Sequence, residues 1–351
     1  MTTLTVPARS EQDASLRPVP WRRMAWVTWR QHRLALGGVA ALLGALAMWL
    51  WIVGRHLHHA YAAATACHAA SSPACADLTS SFNGMYAALA NGTALQPVPA
   101  LIGAFVGAPV LAREMESGTF RYAWTQGFGR WRWALAKLVA LAVVVTAAAG
   151  AISVLIAWYY QPYFATGNQT LSLTQVSPLT PALFDLHGVA FAAWTLVAFA
   201  IGALAGILIR RVVPAIVATL AAYTGLAVAA ATLLRQHYLT PLATSSLNVP
   251  ASAWITSQWW TKGGKFAFTG LPPMQLLQQF CPAPPLGSVT RSKPSSVSLA
   301  QCLSRHGYTR WTSYQPASRF WPFQWIEGGW LLALSMLLIA ATVWLVRRRA
   351  T

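Results

Sequence analysis

The chain has 351 residues and a formal net charge of +18, yet only 9% of its residues are charged, against roughly a quarter in ordinary soluble proteins. Hydrophobic residues make up 56% and tryptophan occurs 18 times, which leaves too few Lys, Arg, Asp and Glu to cover a water-facing surface. These proportions exclude a soluble fold, and basic residues placed at the ends of apolar runs argue against a nucleic-acid binder.

Residues 1–20 form a polar tail without an apolar h-region, so they are no ordinary signal peptide. Residues 21–33 follow as an amphipathic helix. Wound at about 100° per residue, they group Arg22, Arg23, Arg30 and Arg33 on one face, with Trp26 intruding. The rest of that segment is largely apolar, as a helix lying in the membrane interface requires. A plain basic flank to the first span is the simpler alternative.

Six apolar runs then approach the length of about 20 residues that a helix needs to cross a bilayer. They are 34–54, 97–112, 136–157, 188–209, 212–234 and 328–346. The second is short and holds Pro97, Pro99 and Pro109, which predicts a kink. The fold class expected is therefore an all-α integral membrane protein with about six transmembrane helices. Between the runs lie segments 55–96, 113–135, 158–187 and 235–327, and 347–351 form a basic tail.

Orientation follows from where arginine and lysine collect. With the N-terminus inside, 113–135 and the 210–211 turn are inner, and they hold Arg113, Arg121, Arg130, Arg132, Arg210 and Arg211. The short outer segments hold only Arg55. Both termini are then expected in the cytoplasm, with 55–96, 158–187 and 235–327 on the outer side. Cys67 and Cys75 fall in the first outer segment, Cys281 and Cys302 in the last. That side is the oxidising one, where disulfides persist. Four cysteines allow three pairings, and pairing within each segment is the simplest. Each such bridge would contribute about 2.5–3.5 kcal/mol through loop entropy.

The runs themselves hold no Asp, Glu, Lys, Arg or His well inside them, which argues against a proton-driven carrier, because such carriers keep charges at membrane depth. The spacing of Gly202 and Gly206 lets helices approach closely and reads as plain packing. Catalytic constellations are scarce: "TKGGKFAFTG" lacks the spacing of a phosphate loop, and Asp185, His187 and Glu327 are scattered polar groups. His56, His58, His59 and His68 lack an acidic or thiolate partner at metal-binding spacing, so no metal and no cofactor is expected. "NGT" at 91–93 and "NQT" at 168–170 fit the glycosylation tripeptide, a pattern that chance often supplies.

The segment "LAREMESGTFRYAWTQGFGRWRWALAKL" at 111–138 is the most informative. The chain has seven Asp and Glu, and two of them, Glu114 and Glu116, are here. A basic, Trp-rich loop resting on lipid headgroups accounts for the arginines but not for these two acids, which anionic lipid repels. Phe120, Ala123, Trp124 and Gly127 share one face of a short helix, with Arg121 and Thr125 on another. A protein partner of basic or mixed charge fits both features.

The run from Glu114 through Gly118-Thr119 to Trp124-Thr125-Gln126, then Arg130 and Lys137, resembles the first cytoplasmic loop of ABC-2 type transporter permeases. It is most like the loops of actinobacterial members. "MAWVTWRQHR" at 24–33 is similar to the start of such permeases. The resemblance implies a permease subunit of an ABC transporter, working as an exporter in a bacterial plasma membrane. It implies two partners besides the bilayer: an ABC ATPase subunit and a second permease copy, the same or different. It also implies that Phe120–Gln126, including Arg121, form the coupling helix, with Glu114 and Glu116 in the transmission interface and no catalytic residue in this chain. The alternative is a polytopic sensor or assembly protein that recognises a ligand or partner through its outer loops.

Overall fold

The computed structural model describes residues 21–67, 73–89, 95–117, 130–165, 177–246, 249–250, 252–281 and 296–348. Among them six helices are long and apolar enough to cross a membrane: Gly37–Ala66, Pro97–Glu116, Arg132–Phe164, Val189–Ile209, Val212–His237 and Ala317–Arg348. They are called spans one to six below. Span one belongs to a single helix, α1 (Trp21–Ala66), so the amphipathic segment 21–33 and the first apolar run are continuous in one rod. At 1.5 Å per residue its 46 residues extend about 69 Å, well beyond the hydrocarbon thickness.

Span two contains the three prolines and still runs on as one helical unit. Pro97 and Pro99 lie in its first turn, where a missing N–H costs nothing. Pro109 follows a π-helical turn, Gly103–Gly107. The wider turn replaces the i−4 bond that a proline cannot make, so the helix continues to Ser117.

Span four is the hub, with Ala198, Phe199, Ala200 and Ala203 fully buried. It meets span two through glycines on both sides. A Cβ on Gly103 would lie 2.5 Å from the Ala198 carbonyl, one on Gly107 2.6 Å from the Phe199 oxygen, and one on Gly206 2.5 Å from the Ala108 oxygen. Gly202 sits against the Gly103 oxygen in the same seam. The 202/206 spacing is thus packing, matched by a second pair at 103/107 on the facing helix. Ile102, Val110, Leu111, Leu138, Phe199 and Ile207 close the core around that seam.

The third span is part of helix Arg130–Ala165. Its far end carries an aromatic knot in which Tyr159, Tyr160 and Tyr163 pack with Phe82 of helix Pro73–Leu89. The Cys67–Cys75 disulfide joins that helix to span one, and Cys281–Cys302 closes the second bridge, so the within-segment pairing holds. His58 stacks on Trp158 at 4.6 Å and bonds its carbonyl at 2.9 Å, which gives that histidine a packing role.

Between spans five and six lies a feature that the periodicity reading passed over, a four-stranded antiparallel sheet. Strands β1 (Leu242–Thr244), β2 (Trp254–Lys262), β3 (Lys265–Thr269) and β4 (Tyr308–Gln315) pair in the order β1-β4-β2-β3. The β2–β3 hairpin turns on Gly263 and Gly264, both at positive φ (57° and 80°), as a tight two-residue turn demands. "TKGGKFAFTG" is therefore a hairpin. Trp260 is buried with Ala300, Leu303 and Tyr308 in a small core, while Trp321 and Trp325 at the foot of span six stay exposed. The sheet is tied to the bundle where Gln315 donates to the Leu239 carbonyl (2.7 Å) and Arg319 to that of Thr240 (2.6 Å).

Candidate functional site: two ionic clusters at opposite ends of the bundle

At the end of the bundle away from the sheet, span two delivers Glu114 and Glu116 one helical turn before residues 118–129. Gly118, Thr119, Phe120, Arg121, Trp124, Thr125 and Gln126 lie outside the described residues. The two glutamates find partners within the chain. The Glu114 carboxylate accepts from Lys137 of span three at 2.5 Å, and Lys137 is 1% exposed. Its ammonium also lies 5.2 Å from the Trp133 ring centroid. An isolated buried ammonium is costly, so a carboxylate opposite it is required.

Glu116 acts on span five. Spans four and five are joined by Arg210 and Arg211 alone, with Arg210 in the left-handed region (φ 61°) closing span four. Arg211 starts the next helix without a side-chain cap. Glu116 Oε2 supplies one from the neighbouring helix by accepting the Val212 N–H at 3.2 Å. A carboxylate at a helix N-terminus satisfies an orphan donor and meets the positive end of the dipole. The last turn of span two is thereby coupled to span three through Glu114 and to span five through Glu116.

The second cluster lies at the sheet end and corrects the sequence reading, which took Asp185 and Glu327 as scattered. Arg235 lies in span five one residue beyond the apolar run, and Glu327 precedes the sixth run by one residue. Helix formation continues through both boundaries, which draws these charges inward. Arg235 Nε donates to Glu327 Oε2 at 3.0 Å, and Nη2 to Glu327 Oε1 at 2.7 Å and Asp185 Oδ1 at 2.5 Å. Arg235 and Glu327 are both fully buried.

Around them Trp194 donates to Glu327 Oε1 (2.8 Å), Tyr238 donates to Oε2 (3.1 Å), and Trp330 donates to the Tyr238 hydroxyl (2.9 Å). The guanidinium carbon lies 4.5 Å from the Phe184 ring centroid. Spans four, five and six and the turn before span four thus converge on one cation. Gln324 stitches the same junction, accepting from the Ala190 N–H and donating to the Phe184 carbonyl.

Two carboxylates share one guanidinium here. Burial pushes the Asp185 carboxyl up to about 7; Arg235 opposes the rise and Glu327 adds to it. His187, stacked between Phe164 and Phe320 and hydrogen-bonded through Nδ1 to the Leu183 carbonyl, is driven by burial down to about 4. It is neutral at pH 7 and serves as an aromatic spacer beside the triad. The signal that could have found this cluster was an Arg and a Glu each one residue outside an apolar run, where helices routinely overrun composition.

A family model described as ABC-2 membrane transporter related matches residues 40–235. No curated protein and no solved structure matches the chain. The matched stretch runs from within span one to Arg235 and takes in Glu114, Glu116, Lys137 and Asp185. It covers more than half of a chain with six membrane-length apolar helices, so the chain belongs to the ABC-2 membrane transporter related family.

Proposed function

We propose that this chain is the transmembrane permease subunit of an ATP-driven exporter in a bacterial plasma membrane, paired with a second permease copy and two ABC ATPase subunits. Both termini and residues 118–129 face the cytoplasm, and the two disulfides and the sheet face outward. ATP is hydrolysed by the partner; this chain contributes no catalytic residue and holds no cofactor.

The observation that carries this reading is the pair of glutamates at the end of span two. A push delivered to residues 118–129 reaches Glu114 and Glu116 first. It passes to span three through the Glu114–Lys137 pair and to span five through the Val212 N–H. That is what a coupling element must do: convert a local displacement into relative motion of several spans. Gly118, Thr119, Phe120, Arg121, Trp124, Thr125 and Gln126 make the contact with the ATPase, and Glu114 and Glu116 relay it inside the permease.

The test is purification of the tagged chain from native membranes in mild detergent, alone and with Trp124→Asp. A stoichiometric Walker-motif ATPase that is lost with Trp124→Asp supports the permease reading and its docking site. A monodisperse preparation with no ATPase would sink it in favour of a sensor acting through its outer segments. Glu114→Lys is a poor probe of docking, because it sets a second cation against buried Lys137.

A further inference from the structure

Between span two, the Pro181–Leu186 turn and span five lies a cavity of about 500 Å³ at the sheet end of the bundle. Such a volume suits a drug-sized organic molecule. Its wall is mostly apolar, with Leu101 and Leu220 among the lining residues, and it carries a few polar groups: Gln96, Tyr223, Thr224 and Asp185. Asp185 is the one ionisable carboxylate among the described lining residues, and no described lysine, arginine or histidine lines the cavity. Arg235 and Glu327 stand behind it, outside the lining.

The charge balance sets the ligand class. Arg235 is already engaged twice by the fully buried Glu327, so its charge is largely matched before Asp185 is counted. Asp185 is left as the surplus carboxylate, its side chain 24% exposed, and a cation beside it would favour its ionised form. In a mostly apolar wall, a surplus carboxylate attracts a cation more strongly than it would in solvent. Tyr223 also lines the cavity and is held there by T-shaped packing against Trp194 at 5.6 Å.

We propose that this cavity is a binding site for lipophilic organic monocations, with Asp185 as the counter-charge and Tyr223, Leu220 and Leu101 as the apolar bed. As a statement about cargo the proposal rests on the permease reading; as a statement about binding it stands without it.

The experiment measures binding of tetraphenylphosphonium to the purified full chain in detergent by equilibrium dialysis, with empty micelles as the blank and neutral triphenylphosphine oxide as the comparison. Saturable one-site binding of the cation is expected, at least ten-fold tighter than the neutral compound. Asp185→Asn should weaken the cation at least ten-fold and leave the neutral compound within two-fold. This variant keeps the Arg235–Glu327 pair, so it should fold. Thr224→Trp, which fills the cavity from its exposed side and touches no member of the triad, should weaken both. Equal binding of the two compounds, or cation binding that survives Asp185→Asn or Thr224→Trp, would overturn the proposal. Because no ATPase is present, this result is independent of the co-purification test, and either reading can fail alone.

Discussion

Replacing Arg235 by methionine removes the cation on which two carboxylates converge. Glu327 is fully buried and receives two of its hydrogen bonds from Arg235. Without them it keeps those from Trp194 and Tyr238. Breaking a buried pair by removing one partner costs about 3–5 kcal/mol, chiefly through the charge left behind. At about 2.1 cal/mol/K per residue of unfolding entropy, that cost lowers the thermal midpoint by about 4–7 °C in a chain of 351 residues.

The same argument makes a sharper claim about the double variant. Arg235→Met with Glu327→Gln removes both charges and leaves an amide oxygen to accept from Trp194, so about half or more of the loss should return. The assay is tryptophan-fluorescence unfolding in one detergent at pH 7 for the wild type, both single variants and the double. Strictly additive losses, or a midpoint unchanged in Arg235→Met, would refute the view that the guanidinium serves to neutralise Glu327.

His187 has its folded pKa depressed from 6.5 to about 4 by burial, so its contribution to stability is fully present above pH 6.5 and lost as pH falls toward 4, about 3 kcal/mol in total. Asp185, raised from 3.8 to about 7, runs the other way, its contribution fading as pH rises through that range, so the raw pH profile mixes the two. The difference between wild type and His187→Phe isolates the histidine, and a difference that does not change between pH 7.5 and pH 5 would count against its burial as neutral imidazole. Gly202→Val places a side chain against the Gly103 oxygen and the Ala108 nitrogen; overpacking of this kind costs about 1–3 kcal/mol, read as a lowered midpoint, whereas Gly37→Val, with nothing within 4 Å, should change little. Glu114→Gln leaves buried Lys137 without its counter-charge and should cost about 3 kcal/mol, largely restored by adding Lys137→Met; a Glu114→Gln midpoint equal to wild type would show that the pair contributes nothing.

Several of these features could be read from the residues. Composition against the dimensions of a bilayer is a local matter, so six spans and a membrane location followed from counting apolar residues. The disulfides followed too: eight residues separate Cys67 from Cys75 and 21 separate Cys281 from Cys302, which keeps each pair within one segment. The strands were legible and were missed. "WITSQWWTK" and "KFAFT" flank a Gly-Gly pair, a hairpin signal that the helical reading of the chain overrode. The glutamates of 111–138 stood out by rarity alone, yet their partners inside the chain did not.

What tertiary structure decided was which charges meet. Arg235 is 50 residues from Asp185 and 92 from Glu327, and Glu116 is 96 from the N–H it caps. No periodicity spans such distances; they are set by glycine seams that let span four approach span two, and by helices that continue past the ends of their apolar runs. Lipid dictates that each span be apolar, and the sequence records that directly. Inside the bundle, a charge is tolerated only where packing brings its partner, and only the packed fold records where that is.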